Sequence, residues 1–152
     1  MKLKSNVTAK GHFTITVFDV KTGRLKRTVG PLPNAVLNQG LELIAAQHAG
    51  TTNDLEITTL ELGDDGTTPA ATDTALANAT KTGVVPAKSV ASGRTVTVSF
   101  FLNDADLANG TYRELGVKVG STLYTRALIT PAYTKASNEN TRIDYTITYS
   151  SS

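Results

Sequence analysis

The nearest thing to a carboxylate cluster in this chain is Asp64, Asp65 and Asp73, and carboxylates so grouped are the ligands of a hard cation. Calcium asks for more oxygen ligands at regular spacing, and the EF-hand pattern is absent. Turn and capping roles account for all three aspartates, and for Asp104 and Asp106 as well. Glycoside hydrolysis would need two converging carboxylates, for which Glu114 and Asp144 are the pair to follow. Glu114 sits in Gly110-Thr111-Tyr112-Arg113-Glu114-Leu115-Gly116, where a cross-strand arginine or a backbone donor is its expected partner. A Ser-His-Asp triad would have to use His12 or His48, and neither lies near a nucleophile-elbow pattern. No P-loop and no dinucleotide fingerprint occurs. The expectation is therefore no catalytic residue, no cofactor, no metal and no enzyme.

The elements that would carry these residues read mainly as strands. His12 to Phe18 alternates, with Phe13, Ile15 and Val17 on one face, and Asp19-Val20-Lys21-Thr22-Gly23 turns the chain into a returning strand from Arg24 to Val29. Gly30-Pro31-Leu32-Pro33 breaks that pattern. Asn34 to His48 reads as one helix, capped by Asn34, ended by Gly50, and apolar along Leu37, Leu41, Ile44, Ala45 and His48. Gly40 within it costs about 1 kcal/mol relative to Ala, so it marks close packing against a sheet. His48, with no second ligand at metal spacing, reads as a residue of the helix C-terminus.

Leu55 to Leu62 follows as a strand with a bulge between Ile57 and Leu60, and Asp73 to Ala79 as a helical turn capped by Asp73. Thr82 to Val90 is a strand that Pro86 confines to an edge or bulge. Arg94 to Leu102 points Val96, Val98, Phe100 and Leu102 inward. Thr111 to Val119 and Thr122 to Ile129 form a hairpin through Gly120-Ser121, with Pro131 ending the second strand. The last strand, Thr141 to Ser150, sets Ile143, Tyr145, Ile147 and Tyr149 against Arg142, Asp144, Thr146 and Thr148. Some eight or so short strands at this spacing, with one inserted helix, predict an all-β fold, an antiparallel, jelly-roll-like β-sandwich. It occupies residues 1–152 as a single domain, with a basic N-terminal arm and hairpin at 1–30.

Composition agrees. Twenty-five threonines, against four Phe and no Trp, suit strands with one wet face. Cysteine is absent, which excludes disulfides and thiolate metal sites. No apolar run reaches signal-peptide or membrane-spanning length, so a protein made in a cytosol, without a membrane role, is expected. Residues 1–30 hold seven basic groups and one acidic group, a charge of +6, and the remainder holds eight and twelve, a charge of −4. Lys2, Lys4, Lys10, Arg24, Lys26 and Arg27 are thus candidates for docking onto an acidic partner. Nucleic acid is not the expected partner, because no stacking aromatics are interleaved with them.

Taken in order, several segments resemble those of tailed-bacteriophage virion proteins. They are the helix entry Asn34-Ala35-Val36-Leu37-Asn38-Gln39-Gly40-Leu41, a polar loop running from Leu62 to Leu76 and containing Asp64, Asp65, Thr67, Thr68, Pro69 and Asp73, and the strand Arg113-Glu114-Leu115-Gly116-Val117. Leu123-Tyr124-Thr125-Arg126-Ala127 and the alternating final strand complete the pattern, in which Tyr145 replaces a Trp common to these proteins. The resemblance implies a non-enzymatic structural protein of the virion, made in the bacterial host cytoplasm. Its expected role is capsid decoration, as a cement that stabilises the shell by binding the major capsid protein or other virion proteins, with self-association into a homotrimer. Tail-fibre, collar and baseplate modules are the alternative. A carbohydrate-binding sandwich stacking sugars on Tyr124, Tyr133 or Phe101 is a third reading.

Overall fold

The computed structural model describes residues 7–51 and 55–151. Two antiparallel five-stranded sheets pack face to face. The first runs, in spatial order, β2 (Leu25–Pro33), β1 (Val7–Asp19), β10 (Glu139–Ser151), β7 (Thr95–Leu102) and β6 (Lys88–Ser92). The second runs β3 (Ala35–Val36), β9 (Thr122–Lys135), β8 (Gly110–Val119), β4 (Thr59–Gly63) and β5 (Ala79–Val84). The all-β sandwich read from the alternation is the fold, with ten strands among the described residues.

The core lies between the sheets and follows the period-two pattern. Phe13, Ile15 and Val17 of β1, Val98, Phe100 and Leu102 of β7, and Ile143, Tyr145 and Ile147 of β10 meet Leu115 and Val117 of β8 and Ala127 and Ile129 of β9. The Phe13 and Tyr145 rings lie 4.7 Å apart at their centroids. Gly120, at φ +58°, turns the β8–β9 hairpin in the conformation that glycine takes without strain.

Prolines depart from the sequence reading in a consistent way. Pro131 does not end β9, because a register shift between Tyr112 and Glu114 of β8 accommodates it as a bulge. Pro31 and Pro33 lie inside β2, an edge strand whose pairing with β1 shifts between Phe13 and Ile15. Pro86 divides the expected 82–90 strand into β5 and β6, which belong to different sheets. Residues 55–58 form no strand, and β4 begins only at Thr59.

The helix is shorter than expected. α1 spans Asn38–His48, with Leu37 at its N-cap and no side-chain cap. Ala35 and Val36 instead pair with Arg126 and Thr125 of β9. Asn34 donates its side-chain amide to the Tyr145 hydroxyl at 3.2 Å, inside the sandwich rather than at a helix end. The inward face of α1 is also rotated from the predicted stripe. Gly40 is buried and Leu43 and Ile44 pack on the core, whereas Leu41, Ala45 and His48 are exposed. Gly40 does mark the close approach: a Cβ there would lie 2.8 Å from the Tyr124 ring and from its carbonyl oxygen. That tight seat fixes the rotation of the helix.

Candidate functional site: an ion network beneath the 64–78 loop

Leu115 and Val117 point into the sandwich, so Glu114 and Gly116 point out of the second sheet. In most sandwiches that face would be wet. Here the segment 64–78 folds across it, and Leu76 enters a small second core with Leu37 and Leu123. Gly116 leaves room for this cover, since a Cβ would meet the Thr125 carbonyl oxygen and the Leu76 side chain.

Glu114 and Arg126 are buried beneath the cover. Arg126 donates from Nε to Glu114 Oε2 at 3.0 Å, from Nη1 to Asp73 Oδ2 at 2.8 Å, and from Nη2 to the Thr67 carbonyl at 2.8 Å. Its Nη2 also stands 2.8 Å from Glu114 Oε2. Glu114 accepts the backbone N–H groups of Ala77 at 3.0 Å and Asn78 at 2.7 Å. One carboxylate and one guanidinium thereby hold both ends of the loop.

The loop also fastens itself. Asp73 accepts the Ala70 N–H at 2.9 Å, and this bond, with the Arg126 guanidinium, holds its carboxyl below the usual range. Asp65 accepts the Thr67 hydroxyl and N–H, which lower its carboxyl in the same way. Asp64 accepts the Asn78 amide at 2.6 Å. The three aspartates point to three different donors and do not converge on a cation position. Thr67, Thr68 and Pro69 form the outer rim of the cover. No helical turn forms at 73–79.

Two further buried charges act alike at the opposite connections. Lys135 donates to Asp104 Oδ1 at 2.6 Å, to Asn109 Oδ1 at 3.1 Å and to the Ala136 carbonyl at 3.1 Å. That Lys135 bond lowers the Asp104 carboxyl. Glu139 accepts Arg27 Nη1 and the Ala136 N–H, each at 2.6 Å, and Lys26 Nζ lies at 3.3 Å. Burial pushes the Glu139 carboxyl up, but the Arg27 and Ala136 hydrogen bonds outweigh it and leave the group below its ordinary value. The Arg27 guanidinium also sits 5.3 Å over the Tyr133 ring.

These placements decide several sequence-based candidates. Glu114 and Asp144 face outward from opposite sheets, and Asp144 is engaged by Ser99 Oγ at 2.6 Å and Arg142 Nε at 3.0 Å. They cannot flank one glycosidic bond. His12 and His48 are exposed on separate elements. Of the basic docking candidates, Lys10 and Arg24 are exposed, Lys26 and Arg27 are tied to Glu139, and Lys2 and Lys4 lie outside the described residues. Tyr124 and Tyr133, expected at the surface, are buried, and only Phe101 of the three proposed sugar-stacking rings is exposed. The sequence reading found Glu114 and its expected partners but did not single out Arg126, Lys135 or Glu139 as buried. For Arg126 the signal was a charge inside the strand pattern Leu123-Tyr124-Thr125-Arg126-Ala127, whereas Lys135, after Thr134, and Glu139, between Asn138 and Asn140, carry no such local signal.

No helix among the described residues is long and apolar enough to cross a membrane. No family model, curated protein or solved structure matches the chain.

Proposed function

We propose that the chain is a non-enzymatic structural protein of a bacteriophage virion, acting as a decoration protein that clamps neighbouring subunits of a capsid shell. The observation that supports this reading is the use made of its buried charges. Glu114, Arg126, Lys135 and Glu139 each direct most of their hydrogen-bonding positions at loop backbone, an opposite charge or a side-chain amide. A carboxylate at 0% exposure, bonded to a guanidinium and two backbone N–H groups under a loop, is not presented to a substrate. The same bonds make the loops rigid, which suits a module whose task is to present a fixed surface. Each copy would bury a modest patch on the shell, and association into a trimer would multiply the hold through effective concentration.

Lys10 and Arg24 remain the basic candidates for docking onto an acidic shell surface. The test is addition of purified protein to expanded capsids that lack a decoration protein, followed by heating. Retained binding and a higher shell-disruption temperature support the proposal; unchanged shell stability overturns it. Labelling on intact particles separates the alternatives, since a tail-fibre, collar or baseplate module would mark tails and leave heads dark.

A further inference from the structure

The two sheets do not fill the space between them at the end closed by α1. A cavity of about 200 Å³ remains there, half enclosed, walled by Ile44 of the helix, Ile57 ahead of β4, Val96 of β7 and Ile147 of β10. Tyr124 and Tyr149 complete the wall. Elsewhere the core is closed, with Phe13, Ile15, Phe100 and Tyr145 fully buried. The cavity opens to the surface beside Leu55, Glu56 and Ser89, which are exposed, so a guest can enter without unfolding the sandwich. Its lining is apolar with a few polar groups, the arrangement of a small-molecule site.

The polar groups define what would fit. The hydroxyls of Tyr124 and Tyr149 are 3.1 Å apart, and either can donate to the other. Whichever way that bond runs, one phenolic hydrogen is left over for a third acceptor. Burial of Tyr124 raises its phenol far above the ordinary range, so the group stays a neutral donor. The rest of the wall is mainly apolar, a setting in which a charged guest would lose its hydration without replacement.

We propose that this cavity is a binding site for a small neutral molecule with an aromatic or branched hydrocarbon body and a single hydrogen-bond acceptor, received by the Tyr124–Tyr149 hydroxyl pair. The hydrocarbon fills the space between Ile44, Val96 and Ile147, and the acceptor takes the spare phenolic hydrogen. The site is independent of the shell-docking reading and stands or falls without it.

The test uses the full chain, methyl-labelled at Ile and Val, titrated with acetophenone and with ethylbenzene, which has the same body and no acceptor. Saturable shifts at Ile44, Val96 and Ile147, with acetophenone bound about fivefold tighter, are expected from one added neutral hydrogen bond. The double variant Y124F/Y149F should bind both probes equally. Val96→Phe, at a half-buried position, should fill the cavity and weaken both probes at least about tenfold. Should that variant fail to fold, Ile44→Trp on the helix fills the space from the other wall. Shifts scattered away from the cavity, binding unaltered in a folded filling variant, or equal affinity of the two probes for the unmodified protein would overturn the proposal.

Discussion

The outer faces of the two sheets carry similar residues and put them to opposite uses. On the second sheet, Glu114 and Arg126 lie under the 64–78 loop at 0% and 2% exposure. On the first, Arg142 and Asp144 make an ion pair at 3.0 Å with side chains 46% and 25% exposed. The first face is a half-wet field of hydroxyls, in which Thr95 pairs with Thr148 at 2.9 Å and Thr97 with Thr146 at 3.4 Å. An exposed pair adds little, because water competes for both charges and salt screens them. A buried pair is different: losing one member strands the other in a low-dielectric site. The comparison teaches that charge type says less than what is folded over it.

The largest expected effect follows directly. Arg126→Met leaves Glu114 buried without its counter-ion and should cost about 3–5 kcal/mol in urea unfolding. Amide exchange in 64–78 should accelerate beyond what the lost global stability explains, and an unchanged loop would break the contrast between the faces. Combining it with Glu114→Gln should cost less than the sum of the single changes, because each already removes the same pair.

Next come the glycines that let cover and helix approach. Gly116→Ala sets a Cβ against the Thr125 carbonyl and should destabilise by about 1–3 kcal/mol. Gly40→Ala gains about 1 kcal/mol of helix propensity. Its Cβ nevertheless meets the Tyr124 carbonyl, which the β9 backbone holds in place, so the net change in melting temperature should be downward.

The pH dependence should show two limbs. Glu139, Asp73 and Asp104 have lowered folded-state values, so their contribution is complete above the ordinary 4.5 and 3.8 of the unfolded chain. It is lost as pH falls through those values towards the lower folded ones, and Glu139→Gln should flatten this acid limb in a pH series of denaturation midpoints. Tyr124, Tyr133 and Tyr145 have raised values, so their contribution is complete below the ordinary 10.0 and is lost as pH climbs above it. The smallest effect is Arg142→Ala, expected to stay within about 0.5 kcal/mol and to shrink further in high salt. A loss comparable to that of Arg126→Met would end the distinction between the two faces.

Much of the frame was legible because alternation is a local property. Phe13-Thr14-Ile15-Thr16-Val17 and Ile143-Asp144-Tyr145-Thr146-Ile147 state their buried faces outright, and a strand that buries one face has few other ways to sit. The Asp19 turn, the Gly120 hairpin and the tight seat of Gly40 were readable for the same reason. The prolines misled because their consequence depends on the neighbouring strand. Pro131 is absorbed by a bulge whose other half is Tyr112 to Glu114, and Pro86 marks a change of sheet between two strands that are both edges, as expected of it.

The sequence by itself determined an antiparallel sandwich and the partners Glu114 would seek, since both depend on residues close in the chain or on a period of two. Only tertiary structure decided that the 64–78 loop lies over the second sheet, that Arg126, Lys135 and Glu139 are buried, and that Tyr124 and Tyr133 turn inward. The burial of a charge is set by what covers it, and here the cover comes from segments far away in the chain: Thr67 and Asp73 over Arg126, Asp104 against Lys135, and Arg27 against Glu139. No local pattern encodes that proximity, because it exists only once the two sheets have closed on each other.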